Sequence, residues 1–509
     1  MMGRTSPDPP VSAVRYHDYT SHVRYRISPH SLDFSRYPAP FKTYEYQERI
    51  SLKQGTGTIL GRNKDEGFNA PDPTVSQVLG DQVSCDEPVN LETVSQILGL
   101  SYGVTLADRS RGLLFRSVPS AGGLYPCQMY LSTHKIDDIE TGLYYCDTIQ
   151  GFLGRINPRP LGPEIFFSDP DPAEACLIIT GIFYHSAWKY RERAFRYLLL
   201  DAGHLAEAVV QAARAVGVRG RIKYDFKDSC LIQGLNLDDS LEVPLACVSL
   251  GPGIAAGPGS DLKPFHPAKS GPEPATPVIY DILKEAYQAG ISIARSPAVD
   301  SATHVFARKP DRMRPVPDPG PFETKSFFHA VTHRRSRRNF SSQNLPEPVW
   351  AAFLNRVFTR IFAGQDPDET GAAASGFLEM AMISRNMEGL APGLYAFSKD
   401  GATLACRQTG VSAMDLARVC LDQAWIGRAA MNFLFVADLA AMEAALGARG
   451  YRYVMMHAGR VGQRLYMAAQ ELGLGCCGIG AMYDKEAAAL LGLNHGSVLL
   501  YAVSAGPVK

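Results

Sequence analysis

Apolar residues recur at helical spacing along two stretches, Arg193–Gly217 and Arg449–Gly473, each with a broad apolar face and a closing glycine. The pattern predicts a long helix in each, ended by glycine at the C-cap. The two align without gaps at an offset of 256, and eight of twenty-five positions are identical, including an Ala-Gly pair and an Ala-Ala pair. Short apolar runs flank both helices. Upstream, "TGLYYCD" (Thr141–Asp147) echoes "PGLYAFS" (Pro392–Ser398); downstream, "PLACVSLGPG" (Pro244–Gly253) echoes "SVLLYAVSAGP" (Ser497–Pro507). These read as strands, so strand, strand, long helix, strand occurs twice, which implies two α+β domains.

The pattern divides the chain into an N-terminal arm (1–80), a first domain (81–255), a linker (256–320) and a second domain (321–509). Proline and glycine dominate the linker, and its one helical stretch, "VIYDILKEAYQAGISIA", is expected to pack across the two halves. In the arm, His17, Thr20 and His22 either contact a substrate or brace the fold.

Composition narrows the classes. A length of 509 residues exceeds one small core. Lys+Arg and Asp+Glu each total 51, so no overall field draws the chain to nucleic acid or an anionic membrane. No apolar run reaches the ~20 residues of a membrane span, and the N-terminus lacks the pattern of a secretory signal. Ten cysteines without a CxxC pair fit buried thiols in a reducing cytoplasm rather than disulfides or a metal site, so no metal is expected.

Three chemically distinctive segments each survive in one half only. Pro119-Ser120-Ala121-Gly122-Gly123 begins "PSAGGLYP", where small residues let backbone N–H groups approach a flat or anionic ligand. Its second-half counterpart, "TGAAASGF" (Thr370–Phe377), lacks the prolines and the tyrosine. "HRRSRRNF" (His333–Phe340) offers Arg334, Arg335, Ser336 and Arg338 as forked, charge-assisted donors to a phosphate; a solvated basic helix end is the structural alternative. The place equivalent to it in the first half is read as Tyr16–Ile27. "GCCGIG" brings Cys477, Gly478, Ile479 and Gly480 into a glycine-rich turn that its counterpart after Val218 has lost.

Together these segments resemble the nitroreductase-like FMN family, and in particular its SagB/ThcOx-type dehydrogenases. The resemblance covers roughly residues 80–255 and 320–509 and includes "PSAGGLYP", "KYRERAFRY…AGHL" and "RRSRRNF". It implies two fused nitroreductase-like domains forming an intramolecular pseudo-dimer with FMN between them. By that resemblance Arg334, Arg335, Ser336 and Arg338 hold the phosphate, Cys477–Gly480 lie beside the ring, and Pro119–Gly123 approach it from the other half. Only one complete site can be assembled, so one FMN per chain and a monomer are expected.

"WKYRERAFRY" offers Lys189 and Tyr190 just before the first long helix. The pair resembles the Lys-Tyr pair of azoline oxidases; the offset puts Ala445 and Leu446 in their place in the second half. The resulting expectation is an FMN-dependent dehydrogenase that oxidises azoline rings of a modified peptide, with O₂ as electron acceptor and a peptide-modifying complex as setting. An NAD(P)H-dependent nitro or quinone reductase, and a non-catalytic flavin- or peptide-binding scaffold, are the alternatives.

Overall fold

A computed structural model describes residues 12–52, 72–162, 173–251, 277–292, 305–358, 369–370 and 376–509, apart from 28–29, 40–41, 43, 45, 47, 109, 111 and 135. About half of the linker and most of the Thr370–Phe377 counterpart loop lie outside these residues.

Two sheets, antiparallel throughout except at one crossover strand, repeat one design. The first runs, edge to edge, Glu48–Ser51, Phe152–Asn157, Gly142–Asp147, Cys127–Thr133, Ala175–Ile182, Glu242–Leu250, Gly220–Lys223, Glu369–Thr370. The second runs Arg312–Pro315, Thr403–Thr409, Gly393–Phe397, Leu378–Ser384, Met431–Asp438, Ser497–Gly506, Gly475–Ile479. Over seven strands the two orders coincide, the first sheet adding only Glu369–Thr370, so the repeat read from four short runs extends across both sheets. Even the outer strands correspond, one from the arm and one from the linker. A crossover links the halves: Glu369–Thr370 of the second pairs in parallel with Ile222 and Lys223 of the first.

The long helices, Ala194–Ala215 and Gly450–Glu471, are 22 residues each and almost wholly buried. Gly217 and Gly473 follow them with φ of +76° and +70°, the left-handed conformation expected at the C-cap. The helices pack against each other and against their own sheets. Their repeated Ala-Gly pair has a physical reason. A Cβ on Gly203 would run into the backbone carbonyl of Met456, and one on Gly459 into that of Leu200. All four residues obey the 256 offset, so the helices cross on a pseudo-twofold axis.

Two buried ion clusters obey the same symmetry. Arg193 and Arg196 of the first half reach Asp484 of the second, at 2.9 and 2.7 Å. Arg449 and Arg452 of the second half reach Asp228 of the first, Arg452 at 2.6 Å. Burial alone would raise the pKa of Asp484; the two guanidiniums more than reverse this and hold it well below the usual carboxylate range.

Arm and linker each reinforce one cluster. In the arm, the Thr20 carbonyl accepts from Arg193 at 2.8 Å, Thr20 Oγ1 accepts from Arg196 at 2.9 Å, and the His22 amide donates to Asp484 at 2.9 Å. His17 Nε2 stands 3.5 Å from Asp484, its pKa pushed down to about 3 by burial and by Arg196. At these positions the three arm residues brace the junction. The linker helix spans Asp281–Ala289, shorter than its apolar pattern predicts because Gly290 ends it. It does bridge the halves: Tyr287 donates to Asp228, and its carbonyl accepts from Arg452 at 2.5 Å.

Candidate functional site

A cleft of about 720 Å³, its open mouth included, lies between the halves. One wall is the loop Pro119–Gly122. Ser120 opens this wall in extended conformation, and Gly122 and Gly123 turn it with φ of +66° and +68°. Asp201, on the first long helix, holds it. Its carboxylate accepts from Ser120 Oγ at 2.5 Å and from the Ala121 amide at 3.0 Å, while Ser120 Oγ accepts from the Tyr125 amide at 2.9 Å. Burial raises the Asp201 pKa to about 7, against the lowering effect of Ser120 and Ala121.

Behind the loop stands the helix Phe183–Tyr190. A Cβ on Gly122 would lie 2.9 Å from Tyr190 Oη and 3.2 Å from Lys189 Nζ. The single-copy loop and the Lys-Tyr pair, 66 residues apart in sequence, therefore meet. Lys189 is half-buried, and burial, then Arg338, lowers its pKa. Burial drives Tyr190 well above the ordinary phenol value. Its ring stacks on Tyr197 at 4.0 Å between centroids.

The opposite wall comes from the second half. Cys477, Gly478 and Ile479 are not in a turn, as the glycines suggested, but end the edge strand Gly475–Ile479; with Gly480 they line the cleft, joined by Ser336 and Arg338. Ser336 Oγ is 3.0 Å from the phenol of Tyr466, which also accepts from the Gly478 amide at 2.9 Å.

Not every residue picked out in the sequence lines this space. Gly123 faces away, with open space around its Cβ position. Arg335 is turned toward the first half, donating to Thr105 Oγ1 at 3.1 Å and to the Thr105 carbonyl at 3.2 Å. Arg334 is buried behind the wall and donates to the carbonyls of Ser117 at 2.6 Å and Arg116 at 3.0 Å. Its remaining nitrogen, Nη1, is buried without a hydrogen-bond partner among the described residues. Burial, then Arg334 and Arg337, pushes the Arg335 pKa down to about 10. Arginines crowded in this way favour a neighbouring anion.

Several lining residues escaped the sequence reading: Asp201, His204, Gln423, Tyr466 and Tyr501. His204 Nε2 lies 3.1 Å from Tyr501 Oη, and burial keeps its pKa near 3, so it is neutral. A signal was present for two of them. Asp201 and His204 align with His457 and Arg460, two of the places where the repeated helices differ in charge.

One correspondence needs correction. The first-half equivalent of the basic segment is not Tyr16–Ile27 but the stretch after Val75–Leu79. That short helix and Phe327–His333 meet end to end across the pseudo-twofold, Val75 N donating to Lys325 O at 3.0 Å and Phe327 N to Pro73 O at 2.8 Å. The helices are one or two turns long, too short for repetition to show in sequence. The corrected stretch, Asp81–Asp86, has no arginine and an aspartate at each end, and Asp81 pairs with Arg214 at 2.8 Å. In the same second cleft, buried Tyr224 takes the place of Gly480.

The duplicated sheet pattern is that of a known family, whose model, described as "Nitroreductase family", matches residues 85–252 and 331–506. The chain belongs to the nitroreductase family. Among solved structures, a putative nitroreductase from Anabaena variabilis shares the fold over 98% of this chain and 100% of its own, with a TM-score of 0.76 at 23% identity. A putative nitroreductase of Methanocaldococcus jannaschii is 31% identical over 139 residues, which are 26% of this chain and 68% of the relative. The microcin B17-processing protein McbC of Escherichia coli is 23% identical over 172 residues, 32% of this chain; these span 62% of McbC. The protein is thus a tandem nitroreductase-family oxidoreductase with its cleft at the seam between two copies. No described helix is long and apolar enough to cross a membrane.

Proposed function

We propose that the chain is an FMN-dependent dehydrogenase of the SagB/ThcOx type that oxidises azoline rings of a modified peptide to azoles. The residues present suit FMN. Ser336, Arg338 and the spare Nη1 of Arg334 would hold its phosphate. Pro119–Gly122 and Cys477–Gly480 would flank its ring from the two halves. When bound, FMN supplies a two-electron acceptor for the hydride leaving the substrate carbon.

Aromatising an azoline removes two hydrogens, one as hydride and one as a proton. Lys189 is the group that takes the proton at Nζ, its pKa lowered by burial toward the working range of a general base. Tyr190 stays protonated, because burial raises its pKa, and donates its O–H to the heteroatom of the ring being oxidised. The observation that carries the reading is the contact of Gly122 with both side chains, which puts the pair at the wall proposed for the flavin. Similarity to McbC supports a peptide substrate and a peptide-modifying complex as its setting.

Lys189→Ala should keep the yellow flavin spectrum and lose about a hundredfold or more in azoline oxidation. In the wild type the rate should rise with pH as Lys189 loses its proton, levelling below the ordinary lysine value; the variant should lack that limb. Full turnover in Lys189→Ala would remove the base assignment. Rapid bleaching of the bound flavin by NADPH, with no azoline oxidation, would favour a nitro or quinone reductase instead.

A further inference from the structure

We propose that Asp201 is the positioning residue of the loop wall, its carboxylate fixing Pro119–Gly122 against the Lys189–Tyr190 face of the cleft. This rests on the flavin reading of the same cleft and adds a pH-sensitive element to it.

The geometry is one of mutual dependence. Ser120 Oγ accepts from the Tyr125 amide, so its own proton must point at Asp201. The Ala121 amide fills another carboxylate site. Both groups donate, so the charged carboxylate satisfies the arrangement completely. A proton on Asp201 would turn the Ser120 contact from a charge-assisted hydrogen bond into a neutral one, whichever group then donates, and so weaken the hold of this helix on the loop.

The surroundings oppose that charge. Tyr102, Cys127, Tyr190 and Tyr501 face Asp201 from four different elements, and none is a cation. His204, one turn along the same helix, is neutral; of the nearby cations, Arg338 stands on the opposite wall and Lys189 lies behind the loop beside Gly122. Burial therefore brings the carboxyl pKa to about 7. The sign follows. A carboxyl with a raised folded-state pKa adds stability below its unfolded value of 3.8, and that contribution is lost as pH rises through about 7. Above that pH the loop is held and the fold carries a buried charge; below it the fold is relieved and the loop loosens. The second half has His457 at this position, consistent with one working wall per chain.

The test uses the full-length chain and two readouts. Amide exchange of residues 120–125, corrected for the intrinsic pH dependence, should show protection falling as pH drops through about 7. Asp201→Asn should show little protection at any pH. It should also bind FMN about tenfold more weakly at pH about 8, as loss of a charge-assisted hydrogen bond predicts, yet melt no lower than the wild type. Weaker binding without lost stability separates positioning from a merely structural role. FMN phosphate itself titrates near pH ~6, so only the difference between the two profiles reports Asp201. Ser120→Ala, which keeps the carboxyl, should weaken FMN binding while the fold is unchanged, and it stands in if Asp201→Asn misfolds. Wild-type protection and affinity in both variants would overturn the proposal. A chain that never binds FMN but loses loop protection in Asp201→Asn would instead overturn the flavin reading and leave the clamp standing.

Discussion

Gly122 has a φ of +66°, and a Cβ there would press on Tyr190 Oη and Lys189 Nζ. Both constraints demand glycine: the first comes from the loop's own backbone turn, the second from the Lys189–Tyr190 pair. Gly122→Ala should therefore displace Lys189 and Tyr190, lowering turnover about tenfold or more, and strain the loop so that flavin binding, read from the absorption spectrum, weakens as well. The individual residues were unevenly legible. Sequence marked the loop, the arginines and the Lys-Tyr pair, because glycine and charge at fixed spacing carry chemical meaning. It could not say that Arg334 and Arg335 spend most of their donors on backbone carbonyls and Thr105, since that depends on how two distant segments meet. Tyr466 and Tyr501 looked like ordinary core residues, and both are buried.

The elements were read more securely than the site. Long helices show 3.6-residue periodicity over many turns, and the repeat supplied a second copy of each inference. Very short elements left no such trace: the helix Val75–Leu79 and the crossover strand Glu369–Thr370 have too few residues for periodicity. The helix crossing makes a sharp prediction. Gly203→Ala forces a methyl into the backbone of Met456 and should cost about 1–3 kcal/mol through overpacking, measured as a lower denaturant midpoint.

Over the whole molecule, the two sheets coincide over seven strands while the two clefts do not. One seam combines Pro119–Gly122 with Ser336 and Arg338; at the other, Asp81 follows the equivalent helix and Tyr224 replaces Gly480. The purified chain should therefore hold one FMN, counted by absorbance after denaturation, and a second equivalent added in excess should stay free in solution. Two bound equivalents would contradict the asymmetry. Pseudo-symmetry was visible in sequence because the 256 offset survives through the long helices, but the occupant of each seam depends on residues that only folding brings together.

The paired ion clusters have a consequence for why the halves share one polypeptide. Arg193 and Arg196 are the repeat equivalents of Arg449 and Arg452, and Asp228 is the equivalent of Asp484. Their charges thus make no distinction between self and sibling: liberated as separate proteins, either half could satisfy the same contacts with a copy of itself. Such like-with-like pairs would be well formed and idle, one lacking the arginines and the other the Pro119–Gly122 loop. Covalent connection fixes the choice of mate that the interface leaves open.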